Sequence, residues 1–403
     1  MKFPVAVVIT ITCCFAIATL TWFATGLGLP YGAEGTKDFI QYWSAWRLLC
    51  SGQNPYDASL MHQTQLGLGQ AADVTIMMWN PPWVPLLISP VLALPFEVSA
   101  LCWFFCNMGL IGLVVAAIPS VLGYGVQRPW VYGVGALFLP VIDCLKLGQL
   151  SLFHAFGFIL FLWCVKNERY FLGGVSALLM SVKPHIYLTL IIPLLFWFRQ
   201  VGVRNAGLFV LGGAVSMLLA AIAISVIEPR AINWWLQGLS SPELGLGVIP
   251  VRLWRTATFA TQLRALLTPA LGYIPDWPLW VIPCLGLIVT ATAMLGMSRR
   301  IEWSKISPPI ICLSFIFASY GWFFDQSVLL VAHFAVLLTA LAGGGLYRRI
   351  VEIGALLAIQ LLILFLEMQP GSAQHHYTWV PLALLLLIWR QDAARRNAVK
   401  KAV

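Results

Sequence analysis

The stretch WVPLLISPVLALPF, residues 83–96, decides how many times the chain crosses a membrane. Its fourteen residues include Pro85, Pro90 and Pro95, and they fall short of the roughly 20 residues that a straight spanning helix needs. If this stretch crossed the bilayer, every later basic cluster would change sides. If it enters and returns, those clusters and Lys2 all face the cytoplasm, as the positive-inside rule favours. We therefore expect a re-entrant or interfacial segment here.

The composition is that of a membrane protein. Of 403 residues, 60% are hydrophobic and 10% are charged, whereas an ordinary soluble domain has about 25% charged residues. Because a soluble core cannot use so much apolar surface, we predict an all-α polytopic membrane protein that forms one domain, residues 1–403. The first apolar segment, Val5–Leu29, is too long for a signal-peptide core and is expected to remain as a spanning helix.

The apolar runs predict about twelve spans in total. Several are shorter than a straight span requires, so we expect kinked helices or pairs of half-length helices. After the first span, the predicted ones cover 97–118, 129–145, 149–166, 170–184, 186–199, 205–227, 277–297, 306–319, 327–345, 348–367 and 377–390.

The distribution of charge predicts which side each loop faces. Lys and Arg fall in short clusters between apolar runs, which places both termini in the cytoplasm and two large loops, about 30–96 and 228–276, outside. In the first loop, Phe39, Tyr42 and Trp43 recur at helical spacing and predict an amphipathic helix on the membrane surface. The inner loops are short and basic, so the chemistry is expected on the outer face.

Several classes of function are disfavoured. The net charge of +9 is not arranged as a basic groove with interleaved aromatic residues, so nucleic acid is not expected as a partner, whereas membrane lipids are. The nine cysteines include no CxxC pair and indicate neither a disulfide framework nor a zinc site. Motifs for metal or phosphate-loop chemistry are also missing, and we predict no metal and no cofactor.

A carboxylate follows the first span in the sequence Lys37-Asp38-Phe39-Ile40-Gln41-Tyr42-Trp43. Ionisable residues at a membrane edge are energetically unfavourable, and they usually face a cavity and have a function. Asp38 has two interpretations at this point. It either caps the following helix, or it acts as a general base that removes a proton from an acceptor hydroxyl. Asp57, in the turn Asn54-Pro55-Tyr56-Asp57, is more typical of a helix cap.

Lys183-Pro184-His185 is the second polar signal. The lysine either extends to the membrane surface from a broken helix or binds a phosphate as a point charge beside the histidine. In the second loop, Arg264 lies on the side that the positive-inside rule keeps poor in arginine, so it either contacts lipid headgroups or binds a phosphate. Donor-phosphate binding is therefore assigned to Lys183, His185 and Arg264.

Other polar residues lie in turns on the same predicted side and are candidates for binding substrate. Asn80 precedes two prolines and is equally typical of a turn, and Gln149 can hydrogen-bond a sugar or a free carbonyl. Asp325 either caps the next helix or orients a hydroxyl. The full set of substrate-binding candidates is Tyr42, Asn80, Gln149, Tyr320, Asp325 and Gln326.

The order of these landmarks resembles glycosyltransferase family 87, which includes mannosyltransferases of phosphatidylinositol mannoside synthesis. The resemblance covers about residues 36–335 and rests on the ordered set rather than on any one landmark. The matching elements are Asp38-Phe39, Tyr42-Trp43, Gly52 to Asp57, Asn80-Pro81-Pro82, Pro90, Leu94-Pro95, Gly148-Gln149, Lys183-Pro184, Tyr320, Asp325-Gln326 and, loosely, Thr261 to Arg264.

The resemblance implies a C-type glycosyltransferase fold with its active site at the outer membrane face. It also implies transfer with inversion of a hexose, commonly mannose, from a polyprenyl-phosphate sugar to a lipid-linked or glycan acceptor, with Asp38 at the position of the general base. The competing interpretation is a transporter or flippase for an anionic lipid-linked substrate, which would use the same basic residues without a catalytic base.

Overall fold

The computed structural model describes residues 38–125, 127–240, 254–296, 300–343, 345–369 and 374–402. Over these ranges the regular secondary structure is entirely helical. The predicted first span, Val5–Leu29, lies outside the described residues, as do residues 30–37 of the first loop and 241–253 of the second.

Seventeen α-helices and three 3₁₀ segments make up the described chain. The α-helices are α1 (Phe39–Cys50), α2 (Ala58–Leu66), α3 (Trp83–Leu87), α4 (Ser89–Leu92), α5 (Phe96–Val121), α6 (Pro129–Ala136), α7 (Leu139–Leu147), α8 (Ser151–Lys166), α9 (Tyr170–Met180), α10 (Ile191–Ile227), α11 (Ala231–Ser240), α12 (Phe259–Leu271), α13 (Pro278–Leu295), α14 (Trp303–Ile316), α15 (Leu330–Ala342), α16 (Leu346–Glu367) and α17 (Val380–Ala402). The 3₁₀ segments are Pro184–Leu190, Phe323–Leu329 and Gln374–Tyr377.

Five helical segments within the described residues are long and apolar enough to cross a membrane, which confirms an all-α membrane protein. The predicted total of about twelve spans and the C-type fold remain predictions. The five segments are Phe96–Val121, Pro184–Ile227, Pro278–Leu295, Phe323–Ala342 and Leu346–Glu367, and the apolar helices Ser151–Lys166 and Tyr170–Met180 are shorter.

The proline-rich stretch 83–96 forms two short helices, α3 and α4, of five and four residues. At 1.5 Å per residue, neither helix approaches the roughly 30 Å of a hydrocarbon core. Pro90 lies in the first turn of α4, where its missing N–H needs no partner. These helix lengths agree with a stretch that enters the bilayer and returns, which stays a prediction.

The predicted spans differ from the observed helices in two places. The span predicted at 129–145 is wrong as a single helix, because α6 ends at Ala136 and α7 begins at Leu139. Pro140 lies in the first turn of α7. Because proline has no backbone N–H, it cannot donate the hydrogen bond that would extend α6 through this position. The spans predicted at 186–199 and 205–227 join into α10, which is interrupted at Gly202 with φ 82° and ψ 160°, a backbone conformation that glycine adopts readily.

The first loop has an apolar core of its own. Phe39, Ile40 and Tyr42 of α1 are at most 2% exposed and pack with residues of α2 to α5. Helix α1 therefore packs within the protein on one side, and its predicted position at the membrane surface stays a prediction. Helix α11 buries Ala231 and leaves Leu236 and Leu239 about half exposed.

Loops that the charge pattern assigned to the same side of the membrane contact one another in the structure. At the basic end, the Lys166 ammonium donates to the Ser120 carbonyl. Arg395 donates to the Thr339 hydroxyl over 3.0 Å, and that hydroxyl also lies 2.8 Å from the Tyr124 hydroxyl. These contacts join loops predicted to be cytoplasmic. The turns predicted to lie outside meet at a second, polar end, which holds the candidate site.

Candidate active site

Asp38 lies at the start of α1 but does not cap it. Its backbone has φ −92° and ψ −20°, and its side chain makes no capping hydrogen bond to α1, a helix whose residues are all described. Instead Oδ2 of the partly buried carboxylate accepts a 2.6 Å hydrogen bond from Nε2 of Gln149. Of the two interpretations left open by the sequence, helix capping is thus not what the carboxylate does.

Tyr42 sets the orientation of the Gln149 side chain. The Tyr42 hydroxyl donates to Oε1 of Gln149 over 2.9 Å, so the amide NH₂ faces Asp38. Burial raises the pKa of the Tyr42 hydroxyl, and the charges of Asp38 and Asp325 raise it further. The phenol therefore stays protonated and keeps its role as donor. The structure brings three predicted site residues together here.

Gly148 makes this arrangement possible. It ends α7 in the left-handed region with φ 68° and ψ 31°, which favours glycine. A Cβ at this position would lie 2.9 Å from the Cβ of Phe39, so a larger residue would push α1 away from the loop. The Trp103 indole donates to the Gly148 carbonyl over 2.9 Å and fixes the loop from the other side.

A second cluster is built around the carboxylate of Asp325, which is fully buried. Its Oδ1 accepts from the Lys183 ammonium at 2.6 Å and from the Ser151 hydroxyl at 2.5 Å. Its Oδ2 accepts from the backbone N–H of Trp322 at 3.0 Å, and Nε2 of His154 lies 3.8 Å from Oδ1. Asp325 does not cap the next helix, α15, which begins at Leu330. It bonds the start of its own 3₁₀ segment instead, and the hydroxyl that it contacts belongs to Ser151.

Lys183 is not a residue that extends freely to the membrane surface. It is 8% exposed, it precedes the 3₁₀ segment Pro184–Leu190, and its ammonium is held by Asp325. The ammonium also lies 4.7 Å from the centre of the Phe324 ring, a favourable cation–π contact. The positive charge is therefore kept at a fixed point of the site.

His185 and Tyr320 belong to a partly buried group of aromatic rings beside Lys183. Their rings stack with centroids 3.8 Å apart. The Trp254 ring packs against Tyr320 at 5.7 Å and against Trp322 at 5.3 Å. The group places a histidine next to the lysine, as the sequence Lys183-Pro184-His185 predicted.

Asn80 supports the segment that carries Lys183. Its Nδ2 donates to the Val182 carbonyl over 2.9 Å, and its own carbonyl accepts from the Tyr56 hydroxyl over 2.9 Å. The Trp83 indole donates to Ser181 Oγ over 3.0 Å. The stretch around the two prolines therefore holds residues 181–182 in place, and Asn80 acts here on the protein backbone.

Arg264 and Gln326 also bind other parts of the protein. Arg264 is 3% exposed, donates through Nη2 to the Trp254 carbonyl over 2.7 Å and has Nη1 3.9 Å from Asp276. Gln326 is fully buried and donates to the Tyr377 carbonyl over 2.9 Å. Arg264 thereby supports the aromatic group through Trp254, and Gln326 connects its 3₁₀ segment to the one that ends at Tyr377.

Three buried residues at the site were missed by sequence reasoning. Ser151 begins α8, His154 follows one turn later, and the His154 imidazole Nδ1 lies 2.6 Å from the Tyr187 hydroxyl. All three lie within apolar runs, and polar side chains in such runs are the signal that could have found them.

One loop connects the two clusters. Gln149 faces Asp38 and Ser151 faces Asp325, with Leu150 between them in the chain. Asp325 and Asp38 both act on the pKa of Tyr42, so the two carboxylates belong to one electrostatic environment. Among the described residues, no three His, Cys, Asp or Glu side chains form a group suited to a metal ion.

The arrangement can therefore do two kinds of chemistry at one place. A partly buried carboxylate directed by a neutral amide suits the uptake of a proton if an acceptor hydroxyl binds within hydrogen-bond reach of it. A fixed ammonium beside a histidine suits the binding of an anion.

Comparison with known proteins supports a catalytic role. The model of glycosyltransferase family 87 matches residues 79–315, which include Asn80, Gln149, Lys183 and Arg264. No curated protein matches the chain, and no solved structure does. Because the matched range is more than half of the 403 residues, the chain belongs to glycosyltransferase family 87.

Proposed function

We propose that this protein is an inverting glycosyltransferase that transfers a hexose, with mannose favoured, from a polyprenyl-phosphate donor to a lipid-linked or glycan acceptor. Family membership establishes a glycosyltransferase, which implies a sugar donor and an acceptor. The class of donor, the sugar and the inversion of configuration follow from the resemblance of the ordered sequence landmarks. The site geometry supports the assignment of roles to individual residues.

The observation that carries this proposal is the 2.6 Å hydrogen bond between Gln149 and Asp38. A carboxylate used as a helix cap would be occupied by the first backbone N–H groups of the helix. The Asp38 side chain makes no such bond to α1. It is directed by an amide whose own orientation is fixed by Tyr42. This orientation supports the role of a general base, which needs a carboxylate held at a fixed position beside the acceptor hydroxyl.

In the proposed step, the acceptor hydroxyl oxygen attacks the anomeric carbon while the bond from that carbon to the phosphate oxygen breaks. The hydroxyl proton passes to Asp38. The electron pair of the broken bond leaves with the phosphate, whose charge changes from one negative charge in the diester to about two in the monoester. Lys183, and His185 beside it, stabilise the charge that develops there. Arg264 contributes by holding Trp254, whose ring packs against Tyr320.

We further propose that this reaction takes place at the outer face of the plasma membrane. The support is the separation of the two ends of the molecule. The end that contains Asp38 and Asp325 collects the turns predicted to lie outside, while Lys166 and Arg395 belong to the opposite, basic end. The positive-inside rule assigns the basic end to the cytoplasm.

A transfer assay tests the function directly. Purified protein is incubated with radiolabelled polyprenyl-phosphate mannose and a membrane lipid extract, and the labelled product is identified. We expect label in a product that resists mild acid hydrolysis, with the anomeric configuration opposite to that of the donor. Label that crosses the membrane of a proteoliposome while it stays on its polyprenyl carrier would instead indicate the transporter or flippase.

A further inference from the structure

One oxygen atom joins the two halves of the site. Oδ1 of Asp325 accepts the hydrogen bond of Ser151 at 2.5 Å and that of Lys183 at 2.6 Å. The 3.0 Å bond from the Trp322 N–H to Oδ2 restrains rotation of the carboxylate. Asp325 and Ser151 are fully buried, and Lys183 is 8% exposed.

We propose that Asp325 is a positioning residue that holds, through Ser151, the loop that presents Gln149 to Asp38 and, directly, the ammonium of Lys183. This inference rests on the proposed function, because it concerns how the proposed base and the proposed phosphate ligand are kept in one site. Asp325 itself contacts neither the acceptor nor the donor in this scheme, and it acts through two other residues.

The first connection runs through the loop 148–151. Gly148 adopts the left-handed conformation and Ser151 begins α8, so these residues set the two ends of the short segment that contains Gln149. The Ser151 hydroxyl bond to Asp325 holds the second end. If this bond is lost, the loop gains freedom and the Gln149 amide spends less time at Asp38. The chemical step then slows, while the donor site is unchanged.

The second connection concerns Lys183. The Asp325 carboxylate fixes the position of the ammonium, because Oδ1 accepts a 2.6 Å hydrogen bond from it. An ammonium has three N–H donors, and the bond to Asp325 uses one of them. The others have no hydrogen-bond acceptor among the described residues, and we assign them to the donor phosphate. Weakening the bond to Asp325 should therefore weaken donor binding without a direct effect on Gln149.

The proposal predicts a separation between two kinetic constants. Ser151→Ala should lower kcat about tenfold and leave the KM for the donor within about twofold, as the loss of one charge-assisted hydrogen bond allows. Lys183→Ala should raise the donor KM about ten- to hundredfold, and it should also lower kcat because Lys183 stabilises the charge that develops on the leaving phosphate. Asp325→Asn retains the shape of the side chain but removes its negative charge, which weakens the hydrogen bonds from both Ser151 and Lys183. This variant should therefore change both kcat and the donor KM. In the double variant Ser151→Ala/Asp325→Asn, the two losses in kcat should not add, because both substitutions break the same bond. The higher donor KM caused by Asp325→Asn should persist in this double variant.

The test combines these kinetics, with labelled polyprenyl-phosphate mannose as the donor, and amide hydrogen–deuterium exchange of the purified full chain. Exchange in residues 145–152 should become about threefold faster or more in Ser151→Ala and Asp325→Asn, and should remain as in the wild type in Lys183→Ala. Ser327→Ala is the matched control. Ser327 is a fully buried serine of the same 3₁₀ segment, and its hydroxyl has no hydrogen-bond partner among the described residues.

The results separate this inference from the proposed function. If wild-type protein transfers no sugar, the proposed function fails, and exchange of residues 145–152 still decides whether Asp325 holds the loop. Unchanged exchange in Ser151→Ala would overturn the inference, as would a Ser151→Ala variant that alters the donor KM rather than kcat. Should Asp325→Asn fail to fold, Ser151→Ala and Lys183→Ala still decide, since the proposal requires the donor KM to stay unchanged in Ser151→Ala and to rise in Lys183→Ala.

Discussion

The polar end of this protein contains two carboxylates in opposite surroundings. Asp38 is partly buried and accepts a hydrogen bond from a neutral amide. Asp325 is fully buried, and a single one of its oxygens accepts bonds from an ammonium and a hydroxyl. The second is therefore committed to its protein partners, whereas the first is the proposed general base. The proposal thus assigns different roles to two residues of the same type because their environments differ.

This difference explains why the two carboxylates should respond differently to substitution. A carboxylate that is paired with a buried cation contributes to folding, because removing it leaves the cation without compensation. A carboxylate that accepts a hydrogen bond from a neutral amide leaves no buried cation behind when it is replaced, so its loss should affect folding less. The predictions below test this contrast, beginning with the largest expected effect.

Asp325→Leu should lower the free energy of unfolding by about 3–5 kcal/mol, because it leaves the Lys183 ammonium buried without its partner. The expected readout is a large fall in the thermal unfolding temperature of the detergent-purified protein. The double variant Asp325→Leu with Lys183→Leu should recover most of this loss, since neither charge remains. A single variant as stable as the wild type would mean that the ion pair does not support the fold.

Lys183→Ala should weaken use of the donor by roughly 1.5–3 kcal/mol, because a charge-assisted contact to the phosphate is lost. Lys183→Arg should restore only part of it, since a planar guanidinium occupies different space. The measurement is kcat/KM for the labelled donor. The double variant Lys183→Leu with Asp325→Leu separates folding from binding, because it removes both charges together. If it were stable and used the donor normally, Lys183 would not be the phosphate ligand.

Tyr42→Phe should reduce kcat by roughly three- to tenfold, the effect of one hydrogen bond of about 0.5–1.5 kcal/mol. The aromatic packing stays, while the hydroxyl that orients Gln149 is removed. Tyr132→Phe is a matched control, since Tyr132 is buried and its hydroxyl accepts from the Gln127 N–H outside this site. Equal losses in the two variants would argue against a specific role for Tyr42.

Asp57→Ala should affect stability alone, by about 1 kcal/mol, as the loss of a helix cap does. Its carboxylate accepts from the N–H groups of Ser59 and Leu60 at 2.8 and 3.1 Å, which confirms the cap predicted from the sequence. Asp57→Asn should be close to the wild type because asparagine caps equally well. Thermal unfolding and transfer assays on both variants provide the check, and a loss of transfer with unchanged unfolding would contradict the assignment.

The sequence predicted the helical membrane class and the positions of the polar turns well. Apolar runs indicate segments that are buried or span the membrane. Proline and glycine mark positions at which helices are interrupted, as at Gly202. The division of 129–145 was missed although Pro140 lies within this run and marks the start of α7. Burial of α1 was also missed, because an apolar stripe packs equally well against lipid and against protein.

The partners within the site could not be read from the sequence. Lys183 and Asp325 are 142 positions apart, and their pairing depends on how the helices pack rather than on any local pattern. The same is true of Asp38 and Gln149, which are 111 positions apart. Local sequence left Asp38 open between a cap and a base. The structure excludes the cap, because the side chain makes no capping bond to α1, and the base stays a proposal.

The rate of sugar transfer by Asp38→Asn tests the central claim most directly. Asparagine retains the size of the side chain and can still accept the hydrogen bond of Gln149, but it cannot take up a proton. Measured in a single turnover with saturating labelled donor, the rate should fall by about 10²–10⁴-fold, the usual effect of a positioned general base. The unfolding temperature and the affinity for the donor should stay as in the wild type. A folded Asp38→Asn protein that transfers sugar at close to the wild-type rate would contradict the account.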